Sequence, residues 1–196
     1  MKCTANVREG ENVGVYGIGG VGLYALQFAK LAGARTIAIG RSEAKLKMAQ
    51  ALGADSVVSA AGRSGPDIVT DIRNASGGYG VDVMLDFVMN EDSVANSLGS
   101  AIPPRPGAVA IGGRIVTVGT ATNPAVGYSP NTILLKEMSA LGTLAGTRKD
   151  LQEVVEQART GRIRSTVTNR ITLDEVNDGL QMLERGAITG KCCVIL

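Results

Sequence analysis

Histidine and tryptophan are absent from the 196 residues, and only two Phe and four Tyr are present. The missing histidine removes the commonest general base and the commonest zinc ligand. Cysteine is scarce as well, limited to Cys3 and the adjacent pair Cys192 and Cys193. No CxxC knuckle and no disulfide framework can be drawn from that arrangement, so no metal site and no catalytic residue is expected from it. Neighbouring cysteines on a strand point to opposite faces, which argues for a structural role. No apolar run reaches the roughly 18 residues of a membrane span, and no secretory pattern follows Met1, so the expectation is a cytoplasmic chain with no membrane partner. Charge is nearly balanced, 20 basic against 18 acidic residues, and scattered. A nucleic-acid binder needs a basic stripe, and none is present.

What is there suits a globular core: 44% hydrophobic residues, 19% charged and 26 glycines. The glycines fall between short apolar runs, as in a βαβ array. Asn12–Tyr16 reads as a buried strand, the segment from Leu23 to Leu31 as an apolar helix ended by Gly33, and Thr36–Ile39 as a second strand. A helix follows over Ser42–Leu52, with Ser42 as its N-cap and Gly53 past its end. Strands are then expected at Ser56–Val58, Val81–Val88, Arg114–Val118 and Met138–Leu144, with helices over Asp67–Ala75 and from Asp92 to Leu98. The proline-bearing stretch Ile102–Gly113 is expected to be loop. This alternation predicts an α/β fold with a doubly wound parallel Rossmann sheet. After Thr147 the rhythm changes. Helices are read at Lys149–Thr160 and Leu173–Arg185, strands at Ser165–Thr168 and Lys191–Leu196, and the strand-then-crossover pattern is expected to stop.

Directly after the first strand comes Gly17-Ile18-Gly19-Gly20-Val21-Gly22, a G-x-G-x-x-G turn opening a helix. The first glycine permits the tight turn, the second lets backbone approach a pyrophosphate, and the third lets helix and strand pack closely. The helix N-terminus then offers free N–H groups and a positive dipole end. In this strand–turn–helix setting the motif points to dinucleotide binding. An acid gripping the ribose 2′-OH is expected about 18 residues past Gly22, yet that position is Gly40, followed by Arg41 and Ser42. Arg41, with Ser42 and Lys45 nearby, can supply a fork for a 2′-phosphate. NADP is therefore favoured, with NAD the alternative.

The run VGVYGIGGVGLYALQFAKLAGARTIAIGRSEAKLKMAQALGADSVV, with GGYGVDVMLDFV, GGRIVTVG, LKEMSALGTLAGTRKDL and ITLDEVNDGLQMLERGAITGKCCVIL, resembles the cofactor-binding portion of zinc-type alcohol dehydrogenases. These belong to the medium-chain dehydrogenase/reductase superfamily. The resemblance implies a Rossmann domain over 1–147, with 1–11 as the end of a linker helix. It implies a helix/strand tail over 148–196 that joins a GroES-like domain absent here. Val88, Val118, Gly119, Thr143 and Leu144 would line the nicotinamide, and zinc would sit only in the GroES-like domain. In a complete enzyme, hydride would pass between an alcohol and an aldehyde or ketone. A homodimer through the 138–144 edge strand is implied too. Alternatives are a stand-alone dinucleotide-sensing protein without turnover, or half of a split dehydrogenase. Met89 departs from the resembled pattern, which has glycine there. The ending Cys193-Val194-Ile195-Leu196 also fits a prenylation pattern and is read instead as a terminal apolar strand.

Overall fold

The computed structural model describes residues 4–101, 103–120 and 127–196. Cys3 lies outside them. Strands β1 (Asn12–Tyr16), β2 (Arg35–Gly40), β3 (Ser56–Ser59), β4 (Val81–Asp86), β5 (Val109–Thr117) and β6 (Ser139–Gly142) form one parallel sheet in the order β3-β2-β1-β4-β5-β6. That order makes the doubly wound sheet expected from the sequence, with its topological switch between β1 and β4. Helices α1 (Gly22–Leu31), α2 (Glu43–Ala51), α3 (Gly65–Ala75), α4 (Glu91–Leu98) and α5 (Pro130–Leu135) connect the strands.

The two-residue period of a strand sorts the core into two layers. Val13, Val15, Ala38, Val83, Leu85 and Val116 face α1 and α2, where Leu23, Leu26, Ala29 and Leu46 meet them. Tyr16, Ile37, Ile39, Met84 and Ile115 face the other way, against Ile68 and Ile72 of α3 and Val94 and Leu98 of α4. A Cβ at Gly14 in β1 would stand 2.8 Å from the Met84 thioether, so a larger residue there would have to displace the end of that side chain.

Three expectations need correction. Loop was expected through Gly113, but β5 begins at Val109. Val109 pairs with Val81 and Arg114 with Val83, so extra β5 residues bulge out between the two pairs. Gly112 supplies the bulge with a φ of 76°, and that glycine signal reads as loop when the partner strand is unknown. Second, residues 4–11 are turns and extended chain rather than the end of a helix. Arg114 pins them, its guanidinium donating to the carbonyls of Ala5 and Asn6 and to the Glu11 carboxylate. Burial works against the charge on Glu11, but the Arg114 fork and the Arg8 amide outweigh it and hold the carboxyl below its ordinary value.

Third, the strand-and-crossover pattern does not stop after residue 147. Following α6 (Arg148–Arg159), β7 (Val167–Ile171), α7 (Val176–Glu184) and β8 (Lys191–Val194) make a parallel βαβ unit of their own. Each strand thus covers one edge of the other. The tail is held to α1 by Gln27, whose Nε2 donates to the Arg164 carbonyl at 3.2 Å while its Oε1 accepts from the Arg164 N–H at 2.7 Å. The Thr166 N–H donates to the Tyr24 hydroxyl. Among the described residues no helix is long and apolar enough to cross a membrane.

Candidate functional site

Beyond the C-terminal ends of β1 and β4, which stay paired through Tyr16 and Asp86, the loops leaving the strands frame a cleft of about 820 Å³. Its rim is the glycine turn. Gly17 takes a φ of 99°, and its N–H donates to the Ile39 carbonyl at 2.9 Å, which ties the turn to β2. A Cβ on Gly22 would lie 2.2 Å from the Gly17 carbonyl oxygen, so no side chain fits between turn and helix. Gly19 is the opposite case. Nothing stands within 4 Å of where its Cβ would be. Its bare backbone faces open space.

The N-terminus of α1 has no side-chain cap, whereas Ser42, Ser64, Asn90 and Thr147 cap α2, α3, α4 and α6. The N–H groups of Gly20, Val21 and Gly22 have no acceptor among the described residues. Unsatisfied donors and the positive dipole end together favour an anion at this point.

At the β2 end of the cleft sit Gly40, Arg41, Ser42 and Lys45. Arg41 is exposed, and the Ser42 hydroxyl accepts only a long 3.5 Å bond from the Lys45 N–H. Arg63 joins them from the loop between β3 and α3, paired with Asp71. Sequence reasoning missed Arg63, because only the β2–β3 pairing carries that loop to the cleft.

The other end is built on Asp86, fully buried at the end of β4. Its side chain accepts from the Val88 N–H at 2.8 Å, the Met89 N–H at 2.9 Å and the Ser93 hydroxyl at 2.7 Å. Its carbonyl accepts from the N–H groups of Val118 and Gly119. One residue thus sets both loops that close this end, and Phe87, Val88, Val118 and Gly119 all line the cleft. Met89 holds a φ of 51°, the left-handed region that favours glycine, so the loop keeps a glycine-like backbone although the residue is Met. Thr143 and Leu144 are not brought here. The Thr143 hydroxyl meets that of Thr4, and Leu144 is 96% exposed. Gly186 of the tail also reaches the cleft, and a Cβ on Gly20 would meet the Lys191 stem at 2.7 Å.

No three His, Cys, Asp or Glu side chains converge among the described residues. Cys192 is half-buried and Cys193 exposed, both on β8. Among the described residues no donor set for a catalytic zinc comes together, whereas the open, uncapped turn fits a dinucleotide pyrophosphate.

A family profile described as "Zinc-binding dehydrogenase" matches residues 20–160. The NAD-dependent alcohol dehydrogenase of Sulfolobus acidocaldarius is 35% identical over 193 residues, covering 95% of this chain and 51% of that protein. An alcohol dehydrogenase of Geobacillus stearothermophilus is 33% identical, with 95% of this chain and 51% of that protein covered. The crystal structure of the alcohol dehydrogenase of Aeropyrum pernix superposes with a TM-score of 0.82 at 33% identity, over 96% of this chain and 51% of that one. The chain spans about half the length of the curated relatives it matches.

Proposed function

Since the chain belongs to the zinc-binding dehydrogenases, we propose that it holds the nicotinamide dinucleotide for hydride transfer between an alcohol and an aldehyde or ketone. The observation that carries this reading is the uncapped, side-chain-free turn at Gly19, opening on the cleft. Gly17–Gly22 would take the pyrophosphate, Arg41, Ser42 and Lys45 the adenosine end, and Val88, Val118 and Gly119 the nicotinamide. When bound, the nicotinamide ring supplies or accepts the hydride. Residues 1–147 act as the cofactor domain and 148–196 as the part that meets a GroES-like catalytic half. Exposed apolar side chains at Leu151, Val155, Leu180, Leu183 and Leu196 support such a covering partner. The zinc belongs to that half, and no step in this chain runs through it.

Within this reading NADP binds more tightly than NAD. Gly40 offers no acid to repel a 2′-phosphate, and Arg41 is exposed beside it. Calorimetric titration tests it. Arg41→Ala should weaken NADP by about 2 kcal/mol, roughly the worth of a hydrogen bond to a charged group, and leave NAD nearly unchanged. Equal affinities that the substitution does not move would sink the preference.

The same reading pairs two copies along β6, which among the described residues has a strand neighbour on one side only. Leu134 and Leu135, 72% and 58% exposed, lie on α5 just before it. Sedimentation at tens of micromolar should give a dimer, and a monomer would count against this pairing.

A further inference from the structure

We infer that Tyr16 and Asn96 read the polar edge of the cofactor's base and make the cleft selective for adenine over oxopurines; this rests on the dinucleotide reading above. Both residues line the cleft, yet both are deeply buried, with 7% and 8% of their surface exposed. They come from distant parts of the chain, the last residue of β1 and the second turn of α4. Asn96 Nδ2 donates to the Tyr16 hydroxyl oxygen at 3.2 Å. The hydroxyl proton has no acceptor among the described residues, and Asn96 Oδ1 has no donor.

Asn96 Oδ1 is not sealed off, since Thr166 Oγ1 is the one buried side-chain atom without a partner among the described residues; Oδ1 and the Tyr16 hydroxyl open on the cleft, where a ligand can complete them. Plain core packing would be served by apolar residues, as it is at Ile39 and Ile68 beside them. The pair is also held still. A Cβ on Gly65 would stand 2.4 Å from Asn96 Oδ1, so the amide is seated against bare backbone. Burial raises the Tyr16 hydroxyl above its ordinary value, with Asp86 and Asp92 adding to the rise against the opposing Asn96 bond and Arg41 charge. It therefore keeps its proton and acts as a donor.

One fixed donor and one fixed acceptor complement adenine, which presents a ring-nitrogen acceptor beside its exocyclic amino donor. Ile39, Ala60 and Ile68 supply apolar surface for the flat of the ring. Hypoxanthine and guanine carry a carbonyl oxygen in place of that amino group. Asn96 Oδ1 would then face another acceptor and stay unpaired, a loss that sites built around a hydrogen bond punish heavily.

The test compares the nicotinamide adenine dinucleotide that binds better with its hypoxanthine analogue by calorimetry on the whole chain. Wild type should favour adenine by roughly tenfold or more. Tyr16→Phe keeps the ring volume and should bring that ratio close to one, and Asn96→Ala should do the same. Arg41→Ala should keep the ratio, lowering both affinities together where the pair carries the 2′-phosphate and leaving both nearly unchanged where it does not. Thermal melting of each variant shows whether it is folded. A wild-type ratio of one, or a ratio that survives both substitutions in folded protein, overturns the assignment. Binding of neither dinucleotide overturns the cofactor reading and this one with it.

Discussion

Gly19→Asp is expected to cut dinucleotide affinity by at least a hundredfold and leave the melting temperature unchanged or slightly higher. The two effects separate because of where this glycine sits. Its φ is not positive and no atom lies within 4 Å of a Cβ, so the fold accepts a side chain there. The carboxylate would enter the space that the free N–H groups of Gly20, Val21 and Gly22 face. There it would act as the missing cap of α1, worth about 1 kcal/mol to the helix. To a pyrophosphate it is a competitor and a like charge. Two unit charges about 4 Å apart repel by about 4 kcal/mol at the effective dielectric of a protein surface. Every 1.4 kcal/mol is about tenfold, so a hundredfold loss is a conservative expectation after screening. Calorimetry and thermal melting measure the two effects. Alcohol turnover, measured with a separately expressed GroES-like half, should vanish with binding. Retained affinity in the variant would mean that the turn is not the pyrophosphate site. Gly22→Ala makes the contrast: its methyl would be driven to 2.2 Å from the Gly17 carbonyl oxygen, so it should lose fold and binding together.

The second large effect is on stability. Replacing Asp86 by Ala should cost about 3–5 kcal/mol, since a fully buried acceptor of three bonds disappears. The N–H groups of Val88 and Met89 and the Ser93 hydroxyl would each lose their partner. The Asp86 bond to the Met89 N–H is also what holds that residue at a φ of 51°, a conformation costing on the order of 1 kcal/mol without it. Asp86→Asn keeps one acceptor oxygen and should fall between wild type and Ala. Chemical denaturation measures the series. A loss below about 1 kcal/mol for the Ala variant would show that these bonds are readily replaced by water.

The glycine turn, the alternation of strands and helices and most of the helices were legible along the chain because each is written in short-range chemistry. Strand alternation has a period of two, helix caps sit within a few residues of their N–H groups, and the turn glycines act on one another across six positions. Asn12–Tyr16 was read to the residue, the tight turn at Gly17 and the close packing at Gly22 are seen as expected, and Gly19 faces open space. What could not be read depended on partners far away in sequence. The β5 bulge needed the Val81 pairing, and Pro103, Pro104 and Pro106 drew the expected loop on through Gly113. The tail's βαβ unit needed the register between Val167–Ile171 and Lys191–Val194. Arg114 reaches back across more than a hundred residues to Glu11, and Tyr16 finds Asn96 across 80. Sequence by itself determined the fold class, the phosphate-seeking turn and the absence of histidine chemistry, because backbone sterics and residue identity act locally. Only the tertiary structure decided that Tyr16 and Asn96 share a wall and that Asp86 carries both loops. Whether a buried polar atom is satisfied depends on which strand or helix the fold lays beside it.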